Sequence, residues 1–123
     1  MLTDLTKGQS KELVFGLLGQ GNKITAAVQF TNISETPEVS YIPDPVQFLA
    51  FLKYTTKLNP RATLDFIGIF HNHPKTPALP SPTDIYGSTW DGVYLISSPL
   101  YNELNAYSVN SRTWKPITIY ELS

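Results

Sequence analysis

At 123 residues the chain fits one domain spanning 1–123, and a composition that is 41% hydrophobic and 15% charged excludes a disordered polymer. Nine basic residues against ten acidic ones leave a net charge of −1, without the basic excess that nucleic-acid binding draws on, so no nucleic-acid partner is expected. The absence of cysteine excludes disulfides, a cysteine nucleophile and any thiolate metal site.

The chain starts Met1-Leu2-Thr3-Asp4, with no basic region leading into an apolar stretch. Its apolar runs fall far short of the ~20 residues of a membrane span, so no membrane association and a cytoplasmic location are expected. Residues 13–18, Leu-Val-Phe-Gly-Leu-Leu, are a short apolar run ended by Gly19 and read as a buried strand. Over 23–33, Ile24, Ala26, Val28 and Phe30 share one parity and predict a second strand, joined to the first through the turn residues Gln20-Gly21-Asn22. Residues 38–42 suggest a third, short strand. A helix is expected next: Asp44 suits the N-cap, Pro45 the first helical position and Gln47 the capping-box partner, with Asn59-Pro60 as its stop. The apolar run 66–70 predicts a central strand leading straight into His71. A short helix is expected near Pro82, then strands over 92–97, 104–109 and 117–122. Strands before, between and after two helices predict a mixed α/β domain, mainly antiparallel in its second half.

Chemistry concentrates in His71-Asn72-His73-Pro74, followed after seven residues by Ser81-Pro82-Thr83-Asp84. These are the chain's only two histidines. On a strand, residues i and i+2 share a face and lie about 6.6 Å apart, so both imidazoles can reach one ion. One carboxylate added to them makes three protein ligands and leaves a fourth position for water, the arrangement of a catalytic zinc. Ser81-Pro82-Thr83-Asp84 equally reads as a helix start, with Ser81 as N-cap and Asp84 as capping-box partner. The two readings are compatible, because a cap also fixes where the first-turn carboxylate points.

The pattern His71-x-His73-Pro74-x7-Ser81-x-x-Asp84 resembles the JAMM motif of the JAB/MPN+ zinc metalloprotease family. The runs 66–70 and 94–96 resemble strands flanking that motif. Residues 12–19 resemble the family's glutamate-led first strand, and 41–45 the start of its central helix. The resemblance implies a single MPN (JAB) domain, with a mixed, largely antiparallel, curved sheet flanked by helices, of cytidine-deaminase-like type. It also implies one zinc ion per chain on His71, His73 and Asp84, Glu12 as general acid/base, and Ser81 as donor to the oxyanion. Asn72 departs from the Ser or Thr usual between the histidines of peptidase members and is similar to the RadC-like branch; alternation turns its side chain away from the metal. The family's helix before the glutamate is longer than the eleven residues available here. No His or Cys remains for the second zinc of some relatives.

By the same resemblance, the expected activity is hydrolysis of a peptide or isopeptide bond at the C-terminal Gly-Gly of a ubiquitin-like or sulfur-carrier protein or its conjugates. The alternative is a catalytically silent MPN scaffold, whose members typically lack the ligand set. Pro74, Pro77, Pro80 and Pro82 are expected to stiffen the loop between ligands. Trp90, Trp114, Tyr86, Tyr101 and Tyr107 are candidates for a substrate groove, though core or surface filler is the commoner role for each.

Overall fold

The computed structural model describes residues 2–21 and 23–118. A six-stranded sheet has the order β2-β1-β3-β4-β5-β6, formed by β1 (Val14–Gln20), β2 (Lys23–Phe30), β3 (Asp65–Asn72), β4 (Gly92–Ser98), β5 (Glu103–Asn110) and β6 (Thr113–Ile117). Two helices, α1 (Pro45–Leu52) and α2 (Pro82–Gly87), accompany it, with short 3-10 turns at Leu2–Thr6 and Pro99–Tyr101. Only β3 and β4 pair in parallel; the other neighbours are antiparallel.

The apolar run of β1 is central, and six of its seven residues are buried. One face of the sheet packs Val14, Leu18, Ile69 and Ile96 with Phe48, Phe51 and Leu52 of α1. The opposite face gathers Phe15, Leu17, Phe70, Leu95 and Ala106. Phe30, Phe48, Phe51 and Phe66 meet edge-on or tilted, with ring centroids 5.2–6.0 Å apart, which fastens α1 to the sheet.

Several expectations are corrected. Residues 38–42 form no strand: Val39 and Ser40 donate back to the Thr36 carbonyl, and the side chain of Asn32 bonds Ser40 O and Ile42 N, groups a ladder would need. Only an isolated bridge between Asn32 and Pro43 remains. The second strand stops at Phe30, and its single parity is broken where the β1–β2 register shifts: Leu18 pairs Ala26 but Gly19 pairs Ile24. The extra residue is a bulge, which moves Ile24 to the face opposite Phe30. Asp44 does cap α1, accepting from Val46 N and Gln47 N. Gln47 does not complete the box, because its carboxamide is bonded instead to Thr31. The helix ends at Leu52, well before Asn59-Pro60, since Thr55 places both its N–H and its hydroxyl on the Leu52 carbonyl. The last strand begins at Thr113 and ends at Ile117, so of the expected 117–122 only Ile117 is strand, Thr118 is not, and the rest lies outside the described residues. Among the described residues no helix is long and apolar enough to cross a membrane.

This topology brings the ends of three elements together. The chain runs β3, loop, α2, β4, so the C-terminal end of β3 leads toward the first turn of α2. Antiparallel to β3, β1 presents its N-terminal end at the same place. Close approach of the parallel strands depends on Gly68, where a Cβ would lie 1.6 Å from the Val93 carbonyl oxygen. Gly68→Ala is expected to lose at least about 3 kcal/mol in urea or thermal unfolding, because backbone cannot yield as a side chain does.

Candidate metal centre

Register and capping explain how distant residues converge. Val14 pairs with His71, so continuing the antiparallel register two residues sets Glu12 opposite His73. His71 is the penultimate residue of β3, and His73, just past the strand, is held by its own N–H on the Ser97 carbonyl at 2.8 Å. Asp84 is delivered by the cap of α2: its N–H donates to Ser81 Oγ at 3.1 Å, and its Oδ2 accepts from Ser81 N–H at 2.9 Å. The structure thus brings together Glu12, His71, His73 and Asp84, all buried, with one donor atom of each within 4.8 Å of the others.

The contacts at the centre of this group call for a cation. His73 Nδ1 lies 2.8 Å from the Pro77 carbonyl, an oxygen that can only accept, so the ring's hydrogen sits there and Nε2 offers a lone pair. That lone pair faces Asp84 Oδ2 at 3.0 Å and His71 Nε2 at 3.2 Å. His71 Nε2 in turn lies 3.3 Å from Asp84 Oδ1. A tetrahedral ion with bonds of about 2.0 Å separates its ligand atoms by about 3.3 Å, so the three spacings fit such an ion. Two imidazoles and a carboxylate also form a donor set suited to zinc.

Electrostatics follow from burial. Burial opposes ionisation of Asp84, but its bonds to His71 and His73 hold its carboxyl well below the usual range. Burial pulls His71 down. Burial also acts to lower His73, yet its contacts with Asp84 and the Pro77 carbonyl outweigh that and raise it. Burial pushes the Glu12 carboxyl up to about 8, with the Asp84 charge adding and the His73 charge subtracting. Glu12 Oε1 is buried and, among the described residues, has no hydrogen-bond partner, as is also true of His71 Nδ1.

Surroundings fix the ligands. Tyr41 packs on the His71 ring at 4.4 Å between centroids. The proline loop is tied to the sheet: Tyr107 Oη and Asn105 Nδ2 donate to Ala78 O, Ala78 N donates to Glu103, and Ser98 Oγ donates to Thr76 O. Of the five aromatic candidates for a groove, Tyr107 is core and Trp114 is half-buried against Tyr94 and Tyr107. Tyr86 and Tyr101 are exposed. Trp90 lines a groove of about 550 Å³ with Tyr41, Ile42, Phe48, Leu49 and Leu58, and Asp84 forms part of its wall. Sequence reasoning missed Tyr41 and Asn32 as parts of the site; both act through contacts across the chain that leave no local signal.

A family model described as prokaryotic homologs of the JAB domain matches residues 4–115. A probable TtuB-protein conjugate cleaving protease of Thermus thermophilus is 35% identical over 81 residues, covering 66% of this chain and 52% of that protein. A desampylase of Haloferax volcanii is 36% identical over 77 residues, covering 62% of this chain and 52% of that one. The chain therefore spans about half the length of the relatives it matches. Among solved structures, DSY2949 of Desulfitobacterium hafniense superposes with a TM-score of 0.73 at 22% identity, over 93% of this chain and 80% of that one. AF2198, a JAB1/MPN domain protein of Archaeoglobus fulgidus, gives 0.60 at 16% identity, over 96% and 85%. These two likenesses bear on the fold alone.

The Ser81 hydroxyl serves the helix whatever else it does. Ser81→Ala is expected to cost about 1 kcal/mol in denaturant unfolding of the metal-free protein, the usual loss of an N-cap.

Proposed function

This chain belongs to the family of prokaryotic homologs of the JAB domain, and from that premise we propose that it is a zinc-dependent metallopeptidase. Its substrate is the peptide or isopeptide bond at the C-terminal glycine tail of a ubiquitin-like or sulfur-carrier protein. The observation that carries the reading is the convergence of Glu12, His71, His73 and Asp84 within 4.8 Å, with the last three spaced as ligands of one ion. The Thermus thermophilus relative is named for cleaving TtuB-protein conjugates, and the Haloferax volcanii relative is named a desampylase, which supports a small conjugated protein as the substrate class.

His71 and His73, whose Nε2 atoms face the Asp84 carboxylate, would together with it hold one ion per chain. A zinc ion there supplies Lewis acidity, lowering the pKa of water and polarising a carbonyl. The Pro77 carbonyl keeps the His73 ring in the tautomer that binding requires. Glu12, whose ionised form a cation beside it would favour, takes the proton of the attacking water at Oε1 and returns it to the leaving amine nitrogen. Ser81 Oγ accepts from Asp84 N through a lone pair, which leaves its hydrogen to donate to the developing oxyanion. The groove walled by Tyr41, Ile42 and Trp90 runs past Asp84 and offers apolar surface to an extended chain.

The test uses zinc-loaded full chain and a ubiquitin-like protein joined through its C-terminal Gly-Gly to the ε-amine of a lysine peptide. Release of the peptide is expected, and Glu12→Gln should keep its zinc while kcat drops by about 10²–10⁴-fold. A Glu12→Gln protein that turns over normally contradicts the assignment of Glu12. Failure of the zinc-loaded wild type on such conjugates contradicts the peptidase and leaves the scaffold role.

A further inference from the structure

His71 and His73 turn their rings into the cluster, and the side chain between them goes elsewhere. Asn72 is wholly buried, and its carboxamide reaches the segment leading into β1. Oδ1 accepts from Leu13 N–H at 2.5 Å, and Nδ2 donates to the Lys11 carbonyl at 3.2 Å. The two bonded groups stand on either side of Glu12. Accepting from one N–H and donating to the carbonyl two residues earlier is what a neighbouring strand does in a ladder. The backbone pairing of β1 with β3 begins at Val14 and His71, so Asn72 adds a rung beyond it, at the residue that has to be held.

From the other side, Glu12 N–H donates to the Pro37 carbonyl at 2.7 Å, and Asn32 Nδ2 donates to the Glu12 carbonyl at 2.9 Å. These bonds hold the main chain and leave the Glu12 carboxylate free at Oε1. Of the four, the pair made by Asn72 originates in the same tripeptide that carries both histidines. The position of Glu12 is therefore referenced to those two rings by a single side chain.

We infer that Asn72 is a positioning residue, which sets the Glu12 carboxylate against His71 and His73 by bracketing its backbone; this rests on the role given to Glu12 above. The hydroxyl of a serine at this position is too short to span both backbone groups. Leucine has the same branched skeleton, with two larger methyl groups in place of the carboxamide O and N, and bonds neither. A displacement of the carboxylate by about 1 Å is enough to lower turnover on the order of 10²-fold without touching the metal.

The test takes zinc-reconstituted Asn72→Leu and Asn72→Ser, each alone and combined with Glu12→Gln, on a fluorogenic amide of a peptide ending in Gly-Gly. Zinc content and KM should stay at wild-type values. kcat should fall about 10²-fold in Asn72→Leu, less in Asn72→Ser, and neither change should lower the residual rate of Glu12→Gln further. An equal loss in the Glu12→Gln background, or loss of zinc in step with kcat, overturns the inference and makes Asn72 a general support of the fold. A wild-type chain inactive on this amide and on the conjugate defeats the proposed function and not this inference, which a crystal structure of zinc-loaded Asn72→Ser then decides. Displacement of the Glu12 carboxylate in it upholds the role; an unmoved carboxylate overturns it.

Discussion

Antiparallel pairing of β1 with β3 is the constraint from which the site follows. Once Val14 lies opposite His71, a glutamate two residues earlier in the chain is carried to the end of β3 where the histidines stand. The register is held by what it buries, since a slip of one residue would turn Val14 and Leu18 out of one face and Phe15 and Leu17 out of the other. Hydrophobic pattern thus determines the position of a carboxylate that contributes nothing to the hydrophobic core. The parallel pairing of β3 with β4 adds the second requirement, because its crossover must contain a loop and a helix, and the first turn of that helix bears Asp84.

Burying two imidazoles and two carboxylates together is unfavourable unless something positive joins them. The surrounding structure is arranged so that this cannot be relieved by movement. His73 is fixed at Nδ1 by Pro77, His71 is covered by Tyr41, and Asp84 is locked in a capping box. The loop that carries Pro77 is bound in turn to β4 and β5 through Ser98, Glu103, Asn105 and Tyr107. Stability that the sheet gains elsewhere holds lone pairs at fixed separations, which is the preorganisation that metal sites require.

Much of this was legible in the sequence. The strands of β1, β3, β4 and β5 stand where apolar runs and turn residues predict them, and the caps of both helices are at Asp44 and Ser81. His71, His73 and Asp84 were readable because two histidines at strand spacing and a capped aspartate are local patterns. Glu12 was selected by resemblance only, since its neighbour His73 is brought to it by long-range pairing. The strand expected over 38–42 failed because Asn32 and Thr36 capture its backbone groups, and the helix was expected to run too long because the grip of Thr55 on the Leu52 carbonyl has no pattern of its own. The bulge in β2 likewise hides from alternation, which assumes one residue per step.

The most direct measurement is the metal content of purified, reconstituted chain by elemental analysis, beside His71→Ala prepared in the same way. About one zinc per chain, lost in the variant, is the result that a site built on His71, His73 and Asp84 predicts. Wild-type protein that takes up no zinc, or a variant that retains it in full, would contradict the account and leave Ser81 and Asp84 as the cap of a short helix.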